Sequence, residues 1–411
     1  RSARARSRPE GLLAMLSVAE ARGRILDRVR PLDAEQVPLG QAVGRFLAGA
    51  VAAGRALPPF DNSAMDGFAV RAADLPGELP VAGSIAAGAA PAAALAPGTA
   101  IRIMTGAPLP AGADAVVMRE EADDRGARVR FAAPAAPGQH VRRAGEDIAE
   151  GAPLLAAGAR IGPGEVAALA SLGDALVRVG RRPRVAIVST GDELCPLGLT
   201  PRPGQIISSN EHSLTAQAIE AGAEVLGAAL VRDDRAAIEA ALTAAMGCDV
   251  IVTSGGVSVG DHDHVRGAME AVGIAIDFWK VAMRPGKPVT FGTTGGGALC
   301  FGLPGNPVSS LVSFELFVRP ALLALAGAGE RERPRAEVVL TGPIGKSPGR
   351  AHYLRASLTR RGDLLEATPH AKQGSGMLSS LVGVDALVEV AAELGDLPAG
   401  ARCPALLLRA V

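Results

Sequence analysis

From Pro183 to about Ala326, short apolar runs alternate with amphipathic segments of helical length, and this alternation restricts the possible folds most. The runs RVAIVS, EVLGAALV and DVIVT have the length of strands, and the segments NEHSLTAQAIEAG and DRAAIEAALTAAM have helical spacing. PVTFG and ALCFG read as further strands. Apolar strands separated by helices are typical of a parallel sheet covered on both faces. The pattern therefore predicts an α/β domain.

The segments on either side of this domain have a different pattern. Ser17 and Glu20 have the spacing of a helix capping box, and GEVAALASLG predicts a second helix. Between residues 50 and 145, runs such as GFAV, TAIRIM and DAVVM alternate with Gly and Pro turns, which indicates a β-rich region. From about Pro334, the runs RAEVVL, YLRASLT, DALVEVA and PALLLRA predict a small separate β domain.

Composition excludes several classes of protein. The chain has 411 residues, enough for about three domains. Lys and Arg together number 42, as do Asp and Glu, and aromatic residues make up 3%, which argues against nucleic-acid binding. The four cysteines are far apart and indicate reduced thiols. The sequence shows neither a signal peptide nor an apolar run long enough to cross a membrane, so we expect a cytoplasmic protein.

Three loops follow predicted strands at the sheet edge where ligands of open α/β sheets bind. They are STGDEL (Ser189–Leu194), TSGGVSVGDHD (from Thr253) and GLPGNPVSS (Gly302–Ser310). The last two combine small residues with a following helix, an arrangement that favours phosphate binding. One such loop alone is more often a tight turn, but two in one domain favour an anion site. The candidate substrate-binding residues are Ser254, Gly255, Gly256, Val257, Ser258, Gly260, Pro304, Gly305, Asn306, Pro307 and Ser309.

The segment KVAMRPGKPV adds Lys280, Arg284 and Lys287 as candidate anion ligands. Basic residues in loops are usually only solvated. Here the prolines and the glycine stiffen the loop, which favours a binding role. Arg can hold an oxyanion through two bonds, whereas Lys acts as a point charge.

Several acidic residues lie in the loops of the predicted ligand edge. Glu193, Asp233 and Asp263 are candidate ligands of Mg²⁺, a cation that prefers oxygen and bridges to phosphate oxygens. Asp234 is better explained as a helix cap. His262 and His264 are two residues apart at a predicted helix start and would point apart, so we do not predict histidine ligands for a metal.

Taken together, these motifs resemble the molybdopterin molybdenumtransferases, the MoeA-type molybdenum insertases, which are related to the C-terminal region of gephyrin. The resemblance covers essentially the whole chain. It is carried by FDNSAMDGFAV, RIMTGAPLPAGADAVV, RRAGEDI, STGDEL, VRDD, TSGGVSVGDHD, KVAMRPGKPV, GLPGNPVSS and QGSGMLSSL, in that order.

The resemblance implies an α/β and β multidomain fold. It places a discontinuous, elongated linking domain at residues 17–54 and 146–180, and a β-rich second domain at 55–145. It places the molybdopterin-binding α/β domain at 181–328 and a C-terminal β-barrel at 329–411. The family further implies a homodimer whose active cleft combines the molybdopterin-binding domain of one subunit with the second domain of the other.

The resemblance also implies the reaction. The substrates are molybdate and adenylylated molybdopterin, and AMP is released in the presence of Mg²⁺. Residue by residue, the implied catalytic positions are Asp61, Thr105, Glu193 and Asp263, and Ser375 and Asp147 become candidate cleft residues. The family implies a molybdopterin adenylyltransferase and downstream cofactor-handling proteins as partners, with no nucleic acid and no membrane.

Three positions depart from the family pattern. IISSN replaces a DTN-like turn near Ser209, Arg284 stands where Lys is frequent, and Phe68 replaces a common Tyr. Two alternative functions stay open: a molybdopterin adenylyltransferase, although such proteins are small and lack the DNSAMDG segment, and a non-catalytic molybdopterin-binding scaffold. An enzyme that handles tungstate would show the same sequence features.

Overall fold

The computed structural model describes residues 15–256 and 264–409. The chain forms two compact units. Within the described residues, the smaller unit comprises Val37–Val43 and Gly49–Val177, and the larger unit comprises residues 15–36, Gly44–Ala48 and the residues from Arg178 onward. This division is coarser than the four predicted domains, whose boundaries stay a prediction.

The first elements are helix α1 (Val18–Arg28) and strand β1 (Ala34–Pro38). The predicted capping box of α1 is present: the Glu20 N–H donates to Ser17 Oγ, and Glu20 Oε2 accepts from the Ser17 N–H. Ala21 and Ile25 are fully buried on one face of α1 and belong to the core of the larger unit.

The smaller unit is built mainly from short strands. Its main sheet has the order β7-β4-β6-β5-β9-β8, in which only the β5–β6 pair is parallel, and β3 pairs with β10 and β2 with β11. Phe68 and Phe131 meet edge to face in its core, with ring centroids 5.8 Å apart. The elements are β2 (Val51–Ala52), β3 (Asn62–Ser63), β4 (Gly67–Val70), β5 (Gly77–Ile85), β6 (Ala100–Ile103), β7 (Ala115–Met118), β8 (Ala122–Asp124), β9 (Arg128–Phe131), β10 (Val141–Arg142), β11 (Pro153–Leu155) and α2 (Pro163–Leu172).

The α/β part of the larger unit follows β12 (Leu176–Gly180). Its sheet has the order β16-β13-β17-β21-β20-β18. The elements are β13 (Arg184–Thr190), β14 (Leu194–Cys195), β15 (Ile206–Ile207), α3 (Asn210–Glu220), β16 (Glu224–Val231), α4 (Arg235–Ala244), β17 (Val250–Ser254), α5 (His264–Ala271), β18 (Ala275–Phe278), β19 (Met283–Arg284), β20 (Thr290–Thr293), β21 (Leu299–Leu303), α6 (Pro307–Ser313) and α7 (Arg319–Leu325).

The predicted parallel sheet is confirmed for four strands, and an antiparallel edge makes the sheet as a whole mixed. β16, β13, β17 and β21 are parallel, but β20 is antiparallel to both β21 and β18. Only the short segment 294–298 joins β20 to β21, whereas a parallel connection needs about a dozen residues or more. The strand β16 also differs from the prediction of burial on both faces, since it stands at the sheet edge and Leu226 is 53% exposed.

Both faces of the sheet carry apolar cores. Successive residues of one strand point to opposite faces, so Ile187 packs in the core with α3 and α6, and Ala186 packs in the core with α4 and α5. By length and composition, the helical stretch Pro307–Leu325 could cross a membrane, so the expectation that no apolar run is long enough was too strong. However, 89% of this stretch is buried, and it is a core helix of the larger unit.

The C-terminal region is a closed β-barrel, as predicted. Its five strands pair in the ring β23-β24-β22-β26-β25, which closes because β25 also pairs with β23. β19 pairs in parallel with the start of β23, with Met283 opposite Ala351, and so anchors the KVAMRPGKPV segment to the barrel. The strands are β22 (Arg335–Leu340), β23 (Ala351–Arg361), β24 (Leu364–Pro369), β25 (Ala386–Val390) and β26 (Arg402–Leu407).

Candidate active site

The three predicted ligand loops of the larger unit leave neighbouring parallel strands at one edge. Ser189 of β13 lies opposite Ser254 of β17, and Ser254 lies opposite Leu303 of β21. Because the strands run in the same direction, their carboxyl ends meet at this edge. The predicted convergence of the three loops is therefore confirmed for the part of each loop that the structure describes.

Gly255 and Gly256 bring bare backbone to the centre of this edge. Both have positive φ, +99° and +62°. A Cβ on Gly255 would lie 2.1 Å from the Thr190 carbonyl oxygen, and one on Gly256 would lie 2.6 Å from Val265 Cγ2. No other residue fits these two positions without displacing its neighbours.

A hydrogen-bond network ties the second loop to the third. Asn210 Nδ2 donates to Ser254 Oγ at 2.8 Å and to the Gly305 carbonyl oxygen at 2.7 Å. The hydroxyls of Ser254 and Ser310 are 3.4 Å apart, and Ser254 Oγ also lies 3.4 Å from the Pro304 carbonyl oxygen. Asn210 was missed in the sequence because an Asn at a helix start is usually explained as a cap. Its position as the last residue of the altered IISSN segment was the available signal.

Two carboxylates lie beside this network. Thr190 Oγ1 donates to Asp233 Oδ1 at 3.1 Å, and the Asp233 N–H donates to Asp192 Oδ1 at 3.3 Å. Glu193 folds back over Gly191, where a Cβ would lie 2.5 Å from its carboxylate. Asp234 caps α4 through the Ala237 N–H, as predicted. The structure thus adds Thr190 and Asp192 to the predicted Asp233.

The predicted metal site stays a prediction. Among the residues that the structure describes, no three His, Cys, Asp or Glu side chains form a group that could hold a metal ion. The proposed ligand Asp263, and with it Val257, Ser258 and Gly260, lies outside the described residues.

The start of α6 meets a loop of the barrel. Asn306 and Pro307 occupy the predicted N-cap and first helical positions, although the Asn306 side chain makes no capping bond. The Val308 N–H donates to the Ser375 carbonyl oxygen at 3.1 Å. Ser309 is 4% exposed. Ser375 therefore lies at the predicted site, held there through its backbone.

The three predicted cations have three different surroundings and do not line one common cavity. Lys280 Nζ stands 3.5 Å from the ring centroid of Trp279, whose ring also contacts Arg266. Lys287 contributes its carbonyl oxygen to the Val281 N–H. Arg284 instead lines a cavity of about 370 Å³ at the mouth of the barrel.

This barrel cavity is lined by two arginines and by further polar side chains. Besides Arg284 it is lined by His352, Arg355, His370 and Gln373. Arg355 is 1% exposed, and burial lowers its pKa to about 10, so it remains a cation at neutral pH. Burial also lowers the pKa of His352 to about 4, with further contributions from the charges of Arg284, Lys346 and Arg350. A cavity with this surplus of positive charge favours an anion.

The lowered pKa of His352 predicts a loss of stability in acid. The folded protein keeps this imidazole neutral down to about pH 4, whereas the unfolded chain protonates it near pH 6.5. Stability therefore falls as pH drops through this window. Between pH 7.5 and 4.5, the free energy of unfolding should fall less in His352→Gln than in the wild type. We expect the difference between the two decreases to be about 2 kcal/mol, as measured by urea unfolding. His212→Gln, on the exposed part of α3, should follow the wild type.

In the smaller unit, the two predicted motifs pack together. The Ser63 N–H donates to the Ala107 carbonyl oxygen, and the Gly106 N–H donates to the Ser63 carbonyl oxygen. Thr105 donates to Asp66 Oδ1 through both its N–H and its hydroxyl, at 2.7 Å each. These bonds lower the pKa of Asp66.

Asp61 is held at the start of the same motif. Its carboxylate accepts from the Ala144 N–H at 2.8 Å and from Arg143 Nη1 at 2.6 Å, and these bonds lower its pKa. Asp61 is therefore an ionised group fixed in one orientation. The described contacts do not assign a catalytic step to Asp61 or to Thr105, whose roles stay predictions.

Comparisons with known proteins agree with this architecture. The MoeA N-terminal region (domain I and II) matches residues 16–173, a probable molybdopterin binding domain matches 186–324, and the MoeA C-terminal region (domain IV) matches 337–408. Molybdopterin molybdenumtransferase 2 of Mycobacterium tuberculosis is 41% identical over 396 residues, 92% of this chain and 98% of the relative. The Haemophilus influenzae molybdopterin molybdenumtransferase is 36% identical, over 94% of this chain and 97% of the relative.

Solved structures show the same similarity. The molybdopterin biosynthesis MoeA protein of Pyrococcus horikoshii is 30% identical and superposes with a TM-score of 0.83, covering 96% of this chain and all of that one. The matched segments include the regions on both sides of the α/β domain, which the resemblance required. The chain belongs to the molybdopterin molybdenumtransferase family.

Proposed function

We propose that this enzyme acts in molybdenum cofactor biosynthesis by inserting molybdenum from molybdate into adenylylated molybdopterin, with release of AMP. The observation that carries the proposal is the convergence of three loops at the carboxyl edge of β13, β17 and β21, with Asp192 and Asp233 beside glycine backbone. Family membership supplies the substrate class.

The glycine backbone would receive the phosphate end of the substrate. Gly255 and Gly256 present no side chains, so a phosphate can approach the main chain closely. Asn210 holds this segment against Gly305 and keeps the two loops at a fixed separation. A fixed backbone surface can orient the pyrophosphate link without having to rearrange when the substrate binds.

The neighbouring acids fit a magnesium site that is completed by substrate. Asp192 and Asp233 offer carboxylate oxygens, which Mg²⁺ prefers, and it usually binds through one or two carboxylates plus phosphates and water. Thr190 fixes the orientation of Asp233. When bound, Mg²⁺ would offset the charge that develops on the phosphoryl oxygens. Glu193 and Asp263 complete the set of acids that we propose.

The basic barrel cavity is our proposed entry site for molybdate. Molybdate is a tetrahedral dianion, and Arg284 can bind such an oxyanion through two hydrogen bonds. Arg355 is a second cation among the lining residues, whereas His352 is neutral at pH 7 and contributes no charge. Lys280, held over Trp279, is a separate anion contact in this proposal.

The proposal is tested by measuring AMP release from adenylylated molybdopterin with molybdate and Mg²⁺. We expect Asp233→Asn and Glu193→Gln to reduce the rate at least tenfold, because both lose a carboxylate near the phosphates. Asp234→Asn is the matched control. It changes the adjacent acid but keeps a good helix cap, so its rate should stay within twofold of the wild type.

Other outcomes would identify other functions. Substrate binding without AMP release would indicate a scaffold, and formation of adenylylated molybdopterin from molybdopterin and ATP would indicate an adenylyltransferase. Unchanged AMP release in both acid variants would contradict the proposed site. A parallel assay with tungstate compares the two oxyanions. The homodimer implied by the family belongs to the same proposal, and light scattering of the intact chain measures it.

A further inference from the structure

A second cavity lies wholly within the smaller unit. It has a volume of about 480 Å³ and is lined by Pro58, Asn62, Arg142, Glu146 and Asp147. Asn62 and Arg142 face each other in the antiparallel pair of β3 and β10. The motifs RRAGEDI and DNSAMDG therefore form the wall of one cavity.

Asn62 has a buried acceptor that the protein leaves unused. The residue is 5% exposed, and Asn62 Oδ1 has no hydrogen-bond partner within the described part of the chain. Its Nδ2 donates to the Phe60 carbonyl oxygen at 3.2 Å, which fixes the orientation of the amide. Buried acceptors are nearly always satisfied in proteins, so an unused one that lines a cavity points to a donor on a ligand.

The other residues that line the cavity determine which donors and acceptors a ligand must carry. The Asp147 N–H donates to the Leu57 carbonyl oxygen at 3.1 Å, whereas its carboxylate is exposed at the cavity and makes no hydrogen bond or ion pair with residues 15–256 or 264–409. Glu146 is held by the Arg143 N–H at 2.9 Å. Arg142 is exposed on the strand opposite Asn62 and adds a donor to this set of acceptors. The cavity thus offers an amide oxygen, two carboxylates and one guanidinium.

We propose that this cavity binds the 2-amino-4-oxopyrimidine edge that pterins and guanine share. That edge carries an exocyclic amine, a ring N–H and an oxo group. Asn62 Oδ1 accepts from the amine, the Asp147 carboxylate accepts from the ring N–H and the amine, and Arg142 donates to the oxo group. The assignment deepens the proposed function, on which its choice of substrate rests, because a pterin is part of that substrate.

The test measures the affinity of the full chain for 6-hydroxymethylpterin by the intrinsic fluorescence of the pterin. We expect Asn62→Leu and Asp147→Asn to weaken binding at least tenfold, and Asn62→Asp, which keeps an acceptor, to weaken it less. Glu121→Gln, an exposed acid of the same unit, should bind like the wild type. Asp147 is exposed, so its variant tests the site even if Asn62→Leu fails to fold.

Two competitors define the ligand. Lumazine has an oxo group in place of the 2-amino group and should bind at least tenfold more weakly than the pterin. If guanosine binds more tightly than the pterin, the cavity binds the same edge as part of a guanine and not of a pterin. Equal binding of lumazine and pterin, or an unchanged affinity in Asp147→Asn, would overturn the inference. AMP release is assayed separately. Failure of the wild type to bind the pterin beside normal AMP release rejects this inference alone, and pterin binding by a wild type that releases no AMP rejects the proposed function alone.

Discussion

Gly255→Ala is expected to reduce AMP release at least 100-fold and to destabilise the larger unit. The new Cβ would lie 2.1 Å from the Thr190 carbonyl oxygen, at a residue whose φ is +99°. Both the contact with backbone and the left-handed conformation oppose alanine. Relief requires β13 and β17 to shift where the phosphate backbone site is formed. We expect a loss of about 2–4 kcal/mol in the free energy of unfolding, measured by urea denaturation beside the AMP assay.

Gly267→Ala is the matched control for this prediction. Gly267 lies inside α5, and a Cβ there would meet no atom within 4 Å. Alanine in a helix interior should stabilise the protein by about 0.5–1 kcal/mol and leave AMP release unchanged. Normal AMP release in Gly255→Ala would mean that the close approach of backbone at this turn is not needed for the reaction.

Local signals in the sequence were sufficient to predict most of the fold. The capping box of Ser17 and Glu20, the Asp234 cap and the alternation of strands with helices each depend on contacts within a few residues. The direction of β20 depends on connection length, and the sequence already contained that length. The segment 294–298 is too short for a parallel connection, so the antiparallel direction of β20 is encoded in the sequence.

The site was only partly predictable, because its remaining contacts join distant segments. Asp233, Ser254 and Gly255 could be found in loops that follow strands. Asn210, however, lies at the start of α3 and acts by bridging Ser254 and Gly305, which belong to two different ligand loops.

The basic cavity shows the same limit. The sequence motif predicted that Arg284 binds an anion, but the residues that surround Arg284 in the cavity belong to the barrel. His352 and Arg355 are three residues apart in β23, and this odd spacing within a strand gives no sign that both line one anion cavity. Only closure of the barrel and the pairing of β19 with β23 bring these side chains beside Arg284.

Arg355→Met is expected to remove both stability and activity. The Arg355 guanidinium donates to the carbonyl oxygens of Lys372 and Gly374 and to Ser380 Oγ, and thereby fixes the loop that carries Ser375. Methionine fills a similar stem volume but leaves these buried acceptors without their donor. We expect a loss of about 2–4 kcal/mol in the free energy of unfolding. AMP release should fall at least 100-fold, because Ser375 no longer holds the start of α6 and the basic cavity loses one cation.

Arg360→Met separates this effect from a general loss of positive charge on the same strand. Arg360 is exposed near the end of β23, and its replacement should change stability by less than about 0.5 kcal/mol and leave AMP release unaltered. Arg355→Lys keeps the charge but cannot donate to all three acceptors, because an ammonium lacks the planar fork of the guanidinium. If Arg355→Lys restores AMP release at high molybdate but not stability, the charge serves the anion and the fork serves the loop. Wild-type stability in Arg355→Met would show that the loop is held by other contacts.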